Sequence, residues 1–209
     1  MLNPDTLTFQ EFVMAEPVPL STIHGAILDF LIGREDAAVF GDQAVNAYVS
    51  EPRMTQDVDL LSPRAKELAE ELCAALKTRF HLAVCIREVG EGRGYRLFQI
   101  SKDGNRHLAD IRPVGKLPAT QRMQGVLVIA PVGLIAYKVI AYHRRRGQPK
   151  AGTDWRDIAL LLLAFPILKQ ESGAVADCLL AAEAEPGVMA EWKNFVGQDI
   201  QLPDDDDEF

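Results

Sequence analysis

The sequence predicts an α+β fold (a looser α/β arrangement): a mixed β-sheet flanked by helices, with a C-terminal helical region. Three observations carry that prediction. Short apolar runs bounded by turn residues, at 37–40, 56–61 and 126–129, read as buried strands. Between them lie stretches with apolar residues three and four apart, the spacing of an amphipathic helix. Beyond about residue 130 only the helical spacing remains.

Taken in order, residues 20–31 carry Leu20, Ile23, Ile27 and Leu31 at helical spacing, with Ser21 or Thr22 as the expected cap. Residues 37–40 form a buried strand that ends in a turn at Gly41, and 44–49 a short helix. Residues 56–61 are the second strand. Ser62 as cap and Pro63 at the first helical position then open a helix that runs to about Phe80. Strands follow at 81–89, 95–100 and 106–111, the last two joined by the hairpin turn Lys102-Asp103-Gly104-Asn105. After the strand at 126–129, Pro131 starts a helix that includes Lys138. Thr153 or Asp154 is expected to cap another with Ile158, Leu161, Leu162 and Phe165. Helices near 174–182 and 188–195 complete the chain, with Trp155 and Trp192 as packing anchors.

Of the 209 residues, 48% are hydrophobic and 25% charged, which supports a packed core and argues against a disordered chain. The segments are read as a core over 1–130, helices packed on it over 131–203, and a disordered acidic tail over 204–209. The tail holds five of the thirty acids; without them 22 cations face 25 acids, a net charge of −3 instead of −8. The body is therefore nearly neutral, and any nucleic-acid surface must be local. No apolar run is long enough to span a bilayer, and the N-terminus has no basic start before an apolar stretch. Cys73, Cys85 and Cys178 lack metal-ligand spacing. The expectation is a cytoplasmic protein with reduced thiols and no membrane partner.

Two acids stand out. Asp57 and Asp59 lie two apart in an apolar strand, so both point to one face while Val58 and Leu60 point to the other. Adjacent carboxylates repel unless a cation sits between them. A solvated strand face is the commoner reading of such a pair taken alone. Here Gly41 offers a tight turn whose N–H groups suit an anion, Arg53 suits phosphate oxygens and Thr55 can buttress the site. Asp110, in the apolar strand Leu108-Ala109-Asp110-Ile111, reaches the same place if that strand pairs beside the first. Three carboxylates and a triphosphate suit Mg²⁺ or Mn²⁺. His24, His81, His107 and His143 are scattered without metal spacing.

Gly41-Asp42-Gln43-Ala44, Tyr48, Arg53, Thr55 and Asp57-Val58-Asp59-Leu60 together resemble the signature of the DNA polymerase beta-like nucleotidyltransferases. The Arg-x-Thr-x-Asp-x-Asp string looks most like the AbiEii-type toxin branch. The segment LVIAPVGLIAYKVIAYHRRRGQPKAGTDWRDIALLL is similar to that branch's strand, Pro-start helix with an inward Lys, basic cluster and Asp-x-x-Asp-Ile helix entry. The resemblance covers roughly residues 37–165. It implies a nucleotidyltransferase-like fold that moves an NMP from an NTP, ATP among them, to a hydroxyl of an RNA (tRNA) or protein acceptor. It also implies a toxin–antitoxin or phage-defence setting with an antitoxin partner. By resemblance Asp57, Asp59 and Asp110 are metal ligands, Gly41 lines the phosphate turn and Lys138 neutralises the phosphates. Asp157, with Asp154 as the less favoured choice, matches a further acidic position facing the cleft, with a catalytic role. Asp42 departs from the small residue usual there. Either its side chain turns away, or nucleotide binding is weakened and the fold serves as a binding module. Arg144-Arg145-Arg146 and Lys150 suit an RNA backbone, or simply complement a helix C-terminus. A metal-dependent phosphohydrolase using the same acids is a third expectation.

Overall fold

The computed structural model describes residues 18–101 and 104–201. The tail at 204–209 and two residues of the expected hairpin turn, Lys102 and Asp103, lie outside the described residues. Helix α1 (Leu20–Leu31) buries Ile23, Ala26, Ile27 and Leu31, as its spacing requires. Pro19 occupies the cap position, and neither Ser21 nor Thr22 caps the helix. The carbonyl of Pro19 accepts from the N–H groups of Thr22 and Ile23 instead.

Strand β1 (Ala38–Phe40) is buried throughout and runs directly into α2 (Gly41–Asn46), so Gly41 is at once the turn and the first helical residue. Strand β2 (Val58–Ser62) and helix α3 (Ala65–Phe80) meet later than the sequence implied. Ser62 is still in the strand, and its Oγ accepts from the N–H of Arg64. His81 ends α3 with φ 54°, which delays β3 to Val84–Val89. β4 (Gly94–Gln99), β5 (Arg106–Pro113) and β7 (Val126–Ile129) lie where expected. β6 (Thr120–Met123) escaped the sequence because its TQRM stretch is polar and sits at the sheet edge, where no apolar alternation is needed.

Among the described residues the strands form one seven-stranded sheet, ordered β3-β4-β5-β2-β1-β7-β6. It is mixed: β2 runs parallel to β5, and β1 parallel to β7, while the other neighbours are antiparallel. Helices α4 (Pro131–Arg144), α5 (Pro149–Ala164), α6 (Ala174–Ala181) and α7 (Pro186–Gly197) follow, with a 3₁₀ turn at Pro166–Leu168. Proline opens α4, α5 and α7, where its fixed φ suits the helix and its missing N–H costs nothing. Because α5 starts at Pro149, Thr153 and Asp154 lie inside it and do not cap it. α4 packs on α5, α6 and α7. One continuous core runs from the strand residues Leu60 and Ile111 to Trp192 and Phe195 of α7. Trp192 is fully buried, as an anchor should be; Trp155 is 40% exposed and is not one.

Candidate functional site

Residues paired across neighbouring strands share a face of the sheet. The register lines up Phe40, Asp59, Asp110 and Arg96 as one row across β1, β2, β5 and β4. The parallel pairing of β2 with β5 is therefore what brings Asp110 beside Asp59. Asp57 precedes β2 by one residue and falls on the same side. Gly41 abuts this row with φ +69°, and a Cβ there would lie 2.3 Å from Asp59 Oδ2. Glycine is thus required twice, by its left-handed backbone and by the carboxylate against it.

His107 joins the acids through an irregularity. Strict alternation puts residues three apart on opposite faces, so His107 should oppose Asp110. The β4–β5 register instead shifts between Leu97 and Phe98: Leu97 pairs with Ala109, and Phe98 with His107. Leu108 is the extra residue of this bulge, and His107 returns to the face of Asp110. Its Nδ1 lies 2.9 Å from Asp57 Oδ2 and its Nε2 3.0 Å from Asp110 Oδ1. Donor atoms of Asp57, His107 and Asp110 all fall within 4.8 Å of one another, a set chemically able to hold a cation. Arg96 clamps Asp110 from the other side, at 2.6 and 2.9 Å.

The carboxyls differ in electrostatic state. Burial pushes Asp59 up to about 6, with the charges of Asp57, Asp110 and Asp42 adding to it and Arg112 opposing. Asp110 is buried too, but the bonds from His107 and Arg96 overcome that and hold it at about 2. Burial opposes a charge on His107, yet Asp110 and Asp57 raise it to about 9. Asp59 is thus an acid short of positive charge, next to two acids that already have some.

A second ionic cluster adjoins the first. Lys138, on α4 and 5% exposed, reaches Asp157 at 2.6 Å, contacts Asp42 and lies 3.6 Å from Asp154. Arg53 bonds both oxygens of Asp157, at 3.2 and 3.1 Å, and lies 2.7 Å from Asp42. Arg145 bonds both oxygens of Asp154, at 3.0 and 2.7 Å. Three cations thus balance three acids. Asn46 fixes the loop that carries Arg53: its amide donates to the Arg53 carbonyl at 2.7 Å and its Oδ1 accepts the Arg53 N–H at 3.0 Å. Thr55 donates to Gln43 at 3.3 Å, bracing the same loop on α2.

Burial opposes the charge on Asp42, but Lys138 and Arg53 outweigh it and hold the carboxyl at about 2, against an ordinary 3.8. A depressed folded-state value means the stabilisation is full above pH 3.8 and is lost as pH falls through about 2. Between pH 5 and pH 2, wild-type protein should lose about 2 kcal/mol more unfolding free energy than Asp42→Asn. Urea titrations at the two pH values measure this, and equal losses in both proteins refute it.

The two clusters border one cleft of about 760 Å³. Of the residues singled out in the sequence, Gly41, Asp42, Arg53, Asp57, Asp59, Asp110, Lys138 and the less favoured acid Asp154 line it. Thr55 is not among its lining residues, and Asp157 lies fully buried beneath Lys138 and Arg53. The basic run divides: Arg144 and Lys150 are exposed on the cleft wall, Arg145 holds Asp154, and Arg146 lies 2.8 Å from Glu191 of α7. His107, read in the sequence as scattered without metal spacing, stands instead among the cleft acids, and Arg96 and Arg112, which were not singled out, also line the cleft. A conspicuous signal was absent for all three, since the bulge and the strand pairing that assemble them are long-range.

A Gly turn between strand and helix, beside one acid just before a strand, a second on it and a third on its parallel neighbour, defines the nucleotidyltransferase class of fold. Solved structures agree on the fold. The polyadenylate synthase of Megavirus is similar with a TM-score of 0.57 at 15% identity, over 78% of this chain and 36% of that one. This chain thus spans about a third of that enzyme's length. JHP933 from Helicobacter pylori is similar with a TM-score of 0.52 at 12% identity, over 84% of this chain and 88% of that one. No curated protein matches the chain significantly. The family model described as nucleotidyl transferase AbiEii toxin, type IV toxin–antitoxin system, matches residues 44–208, and the chain belongs to that family. Among the described residues no helix is long and apolar enough to cross a membrane.

Proposed function

We propose that this protein moves a nucleoside monophosphate from an NTP to a hydroxyl on an RNA, tRNA in particular, or on a protein, and releases pyrophosphate. The meeting of Asp57, Asp59 and Asp110 on one sheet face, under the Gly41 turn and beside Lys138 and Arg53, is the observation that carries this reading. In the reaction the acceptor oxygen bonds the α-phosphorus. The bond from that phosphorus to the bridging oxygen breaks, its electron pair leaves with pyrophosphate, and the hydroxyl proton passes to a cleft carboxylate. Such chemistry is mostly positioning and charge neutralisation.

Asp57, Asp59 and Asp110 would hold a divalent cation, Mg²⁺ or Mn²⁺, for which the charge-starved Asp59 carboxyl is a fitting neighbour. When bound, that ion neutralises triphosphate charge and lowers the pKa of an attacking hydroxyl. Lys138 and Arg53 would meet the phosphates, and Asp157 holds both cations from below as a positioning residue. Arg144 and Lys150 stand where a nucleic-acid backbone passes the cleft. In this reading the segment to residue 130 is the catalytic core, and the region over 131–203 supplies the phosphate cation and the acceptor wall. The family's description, a toxin of a type IV toxin–antitoxin system, supports a toxin role with a cognate antitoxin; a cytoplasmic setting is part of the same proposal.

The test supplies each labelled NTP in turn, with Mg²⁺ or Mn²⁺, total RNA and a protein extract. Label appearing in one macromolecular fraction is the expected result. Phosphate released with no labelled acceptor would assign a phosphohydrolase instead.

A second reading, a module that binds nucleotide or a partner without turnover, is favoured by one feature. Asp42 already occupies Lys138 and Arg53, the cations a triphosphate needs. Removing that competing carboxylate should release one charge-assisted contact, about 1.4 kcal/mol, or tenfold in affinity. Calorimetry with a non-hydrolysable NTP analogue should therefore show Asp42→Ser binding about tenfold tighter than wild type. Unchanged affinity would mean that Asp42 swings aside when nucleotide enters.

A further inference from the structure

We propose that His107 is itself a ligand of the divalent cation in this cleft, making the site a mixed nitrogen–oxygen one that favours Mn²⁺ over Mg²⁺. The inference rests on the proposed function only in taking the cleft as a cation site.

Geometry carries it. Two ligands at right angles on one ion, each about 2.1 Å from it, are about 3.0 Å apart. The His107 Nε2 to Asp110 Oδ1 distance is 3.0 Å, and the Nδ1 to Asp57 Oδ2 distance is 2.9 Å. A bound ion takes the place of the proton on one ring nitrogen, while the other keeps its N–H and bonds the remaining carboxylate. That is how ligating histidines are usually oriented. Asp57 and Asp110 can serve both partners, because a carboxylate has about four acceptor sites.

The ring is also held in place. It packs on Phe98 with centroids 5.2 Å apart and planes inclined by 32°. Arg87 lies over the Phe98 ring, 5.5 Å from its centroid. Arg96 fixes Asp110 through both oxygens. A β-bulge turns His107 to this face, and bulges commonly re-aim a side chain next to a site. Asp59 belongs to the same row but is not one of the three residues whose donor atoms cluster.

The donor set decides the metal. Mg²⁺ takes oxygen ligands almost exclusively, whereas first-row transition ions accept imidazole; Mn²⁺, the first of that series and also suited to carboxylates, tolerates the mixed set better than Mg²⁺. Replacing one oxygen by nitrogen therefore penalises Mg²⁺ relative to Mn²⁺.

The test uses the full chain with Mn²⁺ alone. Pulsed electron paramagnetic resonance should detect a ¹⁴N coupling to bound Mn²⁺. The pattern should change to that of ¹⁵N in wild-type protein labelled only at histidine, which needs no variant to fold. The coupling should vanish in His107→Gln. Competition calorimetry should show the Mn²⁺-over-Mg²⁺ preference falling about tenfold in that variant. Mn²⁺ bound without nitrogen coupling overturns the inference and leaves the carboxylate site standing. Coupling that survives in His107→Gln assigns another histidine and overturns it too. Failure to bind Mn²⁺ at all removes both this inference and the cation site. Label transfer that proceeds without nitrogen coupling leaves the proposed function intact and sinks only this one.

Discussion

Asp57→Asn should keep its fold and lose nucleotidyl transfer by on the order of 10³-fold or more. Asp57 is half-buried at the cleft, one residue before β2, and its side chain meets only His107 among the described ion pairs. Asparagine has the same shape and keeps an oxygen for that bond. What it loses is a negative charge where the proposed cation sits. Cation neutralisation of a triphosphate is worth several kcal/mol in the transition state, and each 1.4 kcal/mol is a factor of ten. Initial rates of label transfer at saturating NTP measure the effect, with thermal melting as the control for folding. A variant within tenfold of wild type would remove Asp57 from the cation site.

The outcome depends on an arrangement that the sequence disclosed unevenly. Elements with clean periodicity were legible: the apolar spacing of α1 and the buried runs of β1, β2 and β7 follow from burial on one or both faces. The pair Asp57 and Asp59 was legible for the same reason, since charge in an apolar run is visible locally. Asp110 was legible only on condition that β5 pair with β2, which the register satisfies. His107 was hidden because a bulge breaks the two-residue alternation from which its face would be read. Asp154 was misread as a cap because Gly152 before it obscures a helix that begins at Pro149. The ionic cluster could not be seen at all: Arg53 and Asp157 are 104 residues apart, and no local pattern pairs them.

That cluster makes the second strong prediction, because it gives Lys138 a structural duty separate from any ligand. Lys138→Met should lower the unfolding free energy by about 3–5 kcal/mol, the usual cost of breaking a buried ion pair. Methionine fills nearly the same space, so the loss is electrostatic and not a cavity. Without Lys138 the acids Asp42, Asp154 and Asp157 share two cations, Arg53 and Arg145, and one negative charge is left uncompensated. Asp157 is fully buried and Asp154 is 1% exposed, so water cannot solvate either carboxylate once it is unpaired. Adding Asp157→Asn removes one acid and restores the balance, so the double variant should be more stable than Lys138→Met alone. Urea titrations of wild type, both single variants and the double variant close the cycle and isolate the coupling between the pair. A Lys138 that served nucleotide alone would give additive, near-zero changes in stability together with lost binding. A Lys138 that holds the cleft together gives the coupled loss, and its three acid partners argue for that result.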